Sequence, residues 1–256
     1  ITCVNSMSAE KTITVQTIGR IRYIHIPIYK LATLEQIEKY DESIVYILAS
    51  YINKEDDNSF LFNFWLSSNF FVLLKDIYPF ANIVLVIHYF KWCFTLQGDE
   101  IKFQLLLKKD SRDRTEIENS LVHYFLEEKC VLRLSDKIVC LCYYTQNLIR
   151  DLYKIPSQKI ILIYNGLADF NNEKINIGEV PFLDSKEKLI LFVGRLDDIK
   201  GLDLLIQAFR KILIDGNTVR LIIIGDGNFE YYINQGSDIS AKITYVGKIS
   251  KERLYS

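Results

Sequence analysis

Leu189-Ile190-Leu191-Phe192-Val193-Gly194-Arg195-Leu196-Asp197-Asp198-Ile199-Lys200-Gly201-Leu202 joins an apolar run of strand length to a short loop bounded by two glycines. After it, Leu202, Leu205, Ile206, Phe209, Ile212 and Leu213 recur at helical spacing, Arg210 and Lys211 lie towards the C-terminal end where positive charge opposes the dipole, and Gly216 fits the C-cap. The stretch reads as a buried strand that delivers a glycine-containing loop to a helix N-terminus. Gly194 admits close approach to the backbone, the free N–H groups at the helix start favour an anion, and Arg195 and Lys200 can grip phosphate oxygens from different directions. That is the chemistry of a diphosphate cradle. Solvated loop charges are the alternative reading of the same two side chains.

Outward from this stretch, strand-length apolar runs alternate with longer amphipathic ones, the pattern of βαβ units and a parallel sheet, so the expected class is α/β. Downstream come a strand at 219–224 (VRLIII), a Gly225-Asp226-Gly227 loop, a helix around 228–235, a strand at 243–246 and the first turns of another helix in the final SKERLYS. Upstream, residues 167–186 are polar and carry Gly178 and Pro181 without sustained period, which reads as an interdomain linker over 169–186. Before it, 43–50 (SIVYILAS) and 82–88 (NIVLVIH) are expected as buried strands with a crossover helix between them in the aromatic-rich 60–77. A helix at 115–134, a strand at 137–142, a short helix at 144–153 and a strand at 159–164 follow, the last closed by the turn chemistry of Asn165-Gly166. The expected domains are 1–168, the linker, and 187–256. Three strands in the last would leave an open sheet edge for a partner to cover.

Composition narrows the function. Hydrophobic residues make up 49% and charged residues 25% of the 256, so a core can form. A formal charge of -1 removes the electrostatic footprint of a general nucleic-acid binder, and any anion site must be local. The apolar runs are far short of the roughly 20 residues that span a bilayer. Five cysteines without CxxC spacing favour reduced thiols and a cytoplasmic setting, with Cys140 and Cys142 expected on one face of a strand. The GDG loop is followed by Glu230 where a dinucleotide fingerprint needs a third small residue, and there is no P-loop run. The mixed charges of 108–114 read as a solvated loop or helix start; contact with anionic lipid at the inner membrane face or with acceptor phosphate is the minority reading.

The run FVGRLDDIKGLDLLIQAF (192–209) resembles the phosphate-binding signature of the GT-B retaining glycosyltransferases usually called family 4. Residues 135–166 are similar to that family's last strand-helix-strand of the acceptor domain, ending in its Asn-Gly, and 221–230 and 243–256 to its next two donor-domain strands. The resemblance implies two Rossmann-like domains facing a cleft, with a nucleotide-diphosphate sugar as donor substrate and no separate cofactor or metal. It places donor binding on Asn165, Gly166, Gly194, Arg195, Lys200, Gly201, Gly225 and Asp226, with Arg195 and Lys200 neutralising the leaving diphosphate. His88 matches a cleft histidine, and Tyr89 to Phe94 would shape an acceptor pocket suited to stacking on a sugar ring; His25 and His123 are left as structural.

The acceptor implied is a glycan, lipid or peptide. A glutamate-rich EX7E-type element and a first strand with a glycine-rich loop, both usual in that family, are not recognisable. The expectation is therefore a chain clipped at both ends with an incomplete donor domain. A non-catalytic accessory subunit or inactive fragment, and a nucleotide-sugar epimerase on the same scaffold, are the alternative functions.

Overall fold

The computed structural model describes residues 1–28, 33–63, 67–166, 187–216 and 218–254. The chain divides into two compact units, Ile1–Gly166 and Leu167–Ser256; the linker expected at 169–186 lies outside the described residues.

The first unit opens with β1 (Thr2–Ser8), β2 (Thr14–Ile18) and β3 (Ile21–Pro27), a sheet in the order β1-β3-β2 in which β2 runs antiparallel to β3. Helix α1 follows at Leu34–Tyr51, where a strand over 43–50 was expected. The difference has a local and a tertiary cause. Thr33 and Gln36 close a reciprocal capping box at its start. Ile44, Val45 and Leu48 are buried at helical spacing, whereas Tyr46, which a strand would place on the face of Ile44 and Leu48, is 59% exposed. The carboxylate of Asp41 accepts the Ser67 N–H at 3.0 Å, which ties α1 to the next helix.

The expected crossover helix at 60–77 resolves into strand β4 (Ser59–Phe62) and helix α2 (Ser68–Ile77), the latter capped by Ser67. Phe60 and Phe62 are half-buried against Tyr78, Phe70 and Phe71, so alternation on a sheet edge outweighs the aromatic run's helical look. Next come β5 (Asn82–Ile87), α3 (Lys91–Thr95), α4 (Glu100–Lys108), α5 (Glu116–Leu134), β6 (Lys137–Cys140), α6 (Tyr143–Asp151) and β7 (Ile160–Leu162). These strands form a parallel sheet in the order β4-β5-β6-β7. Ile83, Leu85 and Ile138 pack into one core with Phe70, Leu74 and Leu132.

The α5 start is fixed by the Thr115–Glu118 capping box. In the 108–114 run charges pair locally: Lys109 with Glu118 at 2.7 Å and Arg112 with Asp110 at 3.1 Å. Cys140 and Cys142 do not share a strand face. Strand β6 ends at Cys140, which is buried, and Cys142 is the exposed N-cap of α6.

The second unit is β8 (Lys188–Val193), α7 (Leu202–Ile214), β9 (Val219–Ile224), α8 (Phe229–Gln235), β10 (Ile243–Gly247) and α9 (Lys251–Leu254), with parallel strands in the order β10-β9-β8. Leu202, Ile206 and Phe209 of α7 bury one stripe against Leu221 and Ile223 of β9. Glu187 at the start of β8 accepts from Arg220 at 2.6 Å and Lys242 at 2.5 Å, joining all three strands at their amino ends; these hydrogen bonds hold its carboxyl below the usual range.

Candidate functional site

In open parallel sheets the carboxyl ends of the strands are where loops meet ligands. In the second unit three such loops are stitched together by backbone hydrogen bonds. Gly194 N–H donates to Ile224 O at 3.0 Å, Leu196 N–H to Asp226 O at 2.8 Å and Gly225 N–H to Gly247 O at 3.0 Å. Tyr245 adds its hydroxyl to Gly225 O at 3.1 Å.

The closeness of these loops explains one glycine and changes the reading of another. A Cβ on Gly225, whose φ is 154°, would lie 1.8 Å from Gly194 O. The glycine requirement is thus at 225, where it lets the β8 and β9 loops touch. At Gly194 a Cβ would meet only ordinary contacts, the nearest Phe192 at 3.7 Å.

Residues 194–201 form a compact turn that ends on Gly201, whose φ of 66° places it in the left-handed region before α7. Asp197 organises the turn: its side chain accepts the Lys200 N–H at 3.2 Å and pairs with the Arg195 guanidinium at 3.0 Å. Asp198 accepts from the buried Tyr232 at 3.4 Å, anchoring the turn on α8. Arg195 is 71% exposed, and Lys200 is exposed with no ion-pair partner among the described residues. Lys248, which follows β10, lies 3.9 Å from Asp226 on the same edge. It is a third cation that sequence reading did not single out, although GK at a strand end was its signal.

Gly194, Arg195, Lys200, Gly201, Gly225 and Asp226 are thus brought together. His88, Asn165 and Gly166 belong to the first unit, at the carboxyl ends of β5 and β7, and all three are exposed. Gly166 does not take a left-handed turn conformation, and a Cβ there would meet nothing within 4 Å among the described residues. The turn expected at Asn165-Gly166 is not formed within residues 163–166, which continue from β7 as irregular backbone.

Behind His88 lies a buried polar network. Glu128 of α5 accepts the Lys91 N–H at 3.1 Å and a hydrogen bond from the Tyr153 hydroxyl. Burial pushes the Glu128 carboxyl up to about 7, against the lowering effect of Tyr153 and Lys91. Trp92 stacks on Phe103 with centroids 4.4 Å apart, which fixes the segment after β5 from the other side.

Residues 173–256 match the family Glycosyl transferases group 1. A protein of Methanocaldococcus jannaschii described as an uncharacterized glycosyltransferase is 33% identical over 113 residues, covering 40% of this chain and 29% of that protein. The matched part is therefore less than a third of that relative's length.

Among solved structures, the UDP-forming α,α-trehalose-phosphate synthase of Burkholderia vietnamiensis aligns with a TM-score of 0.62 at 13% identity, covering 99% of this chain and 69% of that one. A trehalose-6-phosphate protein of E. coli bound with UDP-2-fluoro glucose gives 0.65 at 10%, covering 99% and 68%. WaaG, a glycosyltransferase involved in lipopolysaccharide biosynthesis, gives 0.59 at 12%, covering 93% and 61%. At such identities the likeness establishes the fold, which is α/β of the GT-B type with Rossmann-like parallel sheets. Among the described residues no helix is long and apolar enough to cross a membrane.

Proposed function

We propose that this chain serves a glycosyltransferase that moves a sugar from a nucleotide-diphosphate sugar to a glycan, lipid or peptide acceptor, with retention and without a metal ion. The observation that carries the proposal is the turn 194–201, which presents Arg195 and Lys200 at the carboxyl edge of a parallel sheet, within residues matched by a glycosyltransferase family.

As the bond from the anomeric carbon to the diphosphate breaks, the electron pair passes to the diphosphate oxygen. The guanidinium and the ammonium stabilise that growing charge, and the acceptor hydroxyl forms the new bond on the same face and gives its proton to the departing diphosphate oxygen. Asp197 acts as the positioning group, holding Arg195 in place until the anion competes for it. His88, Asn165 and Gly166 are assigned to the reacting sugar and its surroundings, and Gly194, Gly201, Gly225 and Asp226 to the donor's backbone contacts. A cytoplasmic setting fits the unpaired thiols.

The test is a thermal-shift screen with UDP, GDP and ADP followed by a sugar-transfer assay. A nucleotide at 100 times its dissociation constant stabilises by roughly 2.7 kcal/mol. Arg195→Ala with Lys200→Ala is expected to remove both the shift and transfer while leaving unfolding unchanged. Full transfer by that double variant refutes the assignment.

One observation favours a second reading, an accessory chain beside an active transferase. Among the described residues β8 ends its sheet and turns Leu189, Leu191 and Val193 outward, all about half exposed. Co-purification with a transferase that buries this edge would support it.

A further inference from the structure

Resting on the sugar-transfer reading above, we propose that the carboxyl edge of the first unit's parallel sheet is a carbohydrate-binding shelf, and that the acceptor is accordingly a glycan. Register puts the shelf together. Ile87 pairs with Cys140 and Cys140 with Leu162, so β5, β6 and β7 end level and the residues after them emerge side by side.

Five large aromatic side chains stand there, Tyr89, Phe94, Tyr143, Tyr144 and Tyr164, each between 47% and 63% exposed. They are neighbours. Tyr89 and Phe94 meet edge to face at 4.9 Å, and Tyr143 and Tyr164 at 6.0 Å. Tyr144 reaches the turn between α3 and α4, its hydroxyl 4.0 Å from where a Gly98 Cβ would be.

Aromatic groups of this size are ordinarily buried, so a cluster of them on an edge where ligands bind marks a ligand surface. Its chemistry selects the class. Residues 88–90, 141–145 and 163–166 contain no Asp, Glu, Lys or Arg; the adjoining Lys91 holds its ammonium 3.4 Å over the Tyr124 ring, and the charge that acts on Tyr144 from the start of α4 is the Glu100 carboxylate. Four of the five rings carry a hydroxyl, and His88 and Asn165 add polar groups at the same strand ends. Flat rings stack on the C–H face of a pyranose while hydroxyl and amide groups hydrogen-bond its rim. An edge whose nearby charge is a carboxylate repels an anionic headgroup, and the tyrosine hydroxyls would go unused against an acyl chain.

Cys142 gives a direct reading of occupancy. It is exposed at the N-cap of α6 between the β6 end and Tyr143, and it interacts with both Tyr144 and Tyr164. A side-chain hydrogen bond with Thr145, then backbone N–H groups, hold its thiol below the ordinary range. Burial pushes Cys93 up to about 11 and Cys140 up to about 12. Cys142 is therefore the reactive thiol of the shelf, and exposed Cys3 on β1 is an internal control.

The experiment follows iodoacetamide modification of each cysteine by peptide mass spectrometry on the whole chain at neutral pH. The additives are maltohexaose, cellohexaose, N-acetylchitohexaose, sorbitol, or vesicles of phosphatidylglycerol and phosphatidylcholine. At twice the dissociation constant a hexasaccharide leaves about one-third of the sites open, so Cys142 modification is expected to slow about threefold, with Cys3 unchanged and sorbitol without effect.

Tyr89→Ala and Tyr164→Ala, both exposed positions, are expected to abolish the protection while tryptophan fluorescence stays native. Protection by vesicles alone, by none of the hexasaccharides, or equally at Cys3 overturns the proposal, as does protection that survives both variants. Nucleotide binding at Arg195 and Lys200 without protection at Cys142 removes the shelf alone, whereas hexasaccharide protection without nucleotide binding removes the donor reading alone.

Discussion

Glu128→Gln tests the buried network behind His88 through its pH dependence. In the folded protein the Glu128 carboxyl faces the Tyr153 hydroxyl, the Lys91 backbone N–H and ammonium, and the Cys93 thiol; burial raises its pKa from 4.5 to about 7. As pH rises from below 4.5, the unfolded chain releases this proton first while the folded protein retains it, so the stability contributed by the neutral carboxyl is lost through a window that closes near pH 7 and above. At 1.36 kcal/mol per pH unit the displacement amounts to about 3 kcal/mol. Glutamine keeps an oxygen for the Lys91 N–H and does not titrate. The variant is therefore expected to gain about 3 kcal/mol on the wild type between pH 4 and pH 8.

Urea unfolding followed by tryptophan fluorescence reads the first unit selectively, since Trp65 and Trp92 both fall in residues 1–166. A stability difference between the two proteins that stays flat over that pH range, or moves the other way, refutes the argument that burial keeps Glu128 protonated.

Three further perturbations separate local requirements. Gly225→Ala forces a Cβ to within 1.8 Å of Gly194 O at a positive φ, so at least about 3 kcal/mol of stability is expected to go from the second unit, read by hydrogen exchange across 187–254. Gly166→Ala, with nothing within 4 Å of the new Cβ among the described residues, is expected to change stability by less than about 0.5 kcal/mol, and a larger effect there than at 225 would contradict the geometry. Thr115→Ala removes half of the α5 capping box and is expected to cost about 1 kcal/mol in urea unfolding, with Thr115→Ser restoring most of it.

Some elements are legible because their signals are local. The six residues of β8 are bounded by a glycine loop, and α7 shows its stripe and its terminal glycine directly in the chain, but the burial expected of β8 fails because among the described residues it is an edge strand with Leu189, Leu191 and Val193 about half exposed. The start of α5 is written in Thr115 and Glu118, whose side chains cap one another. Residues 43–50 misled because Ile44, Val45 and Ile47 favour a strand by propensity, and the face that α1 buries is chosen by α2 and the sheet, which no local window contains. The role of Gly225 was likewise invisible, since the atom that forbids a side chain there belongs to Gly194, thirty-one positions earlier.

By itself the sequence determined the alternation of strands and helices, the α/β class and the loop that carries Arg195 and Lys200, because periodicity and turn chemistry act over a few residues. Only the tertiary structure decided which residues share an edge. Pairing Ile87 with Cys140 and Cys140 with Leu162 gathers Tyr89, Tyr143 and Tyr164 from three separate strand ends, and the β8 to β10 hydrogen bonds bring Lys248 to the cation loop. Strand register is a property of contacts between distant segments, so the surfaces it assembles come into existence only when the sheet does.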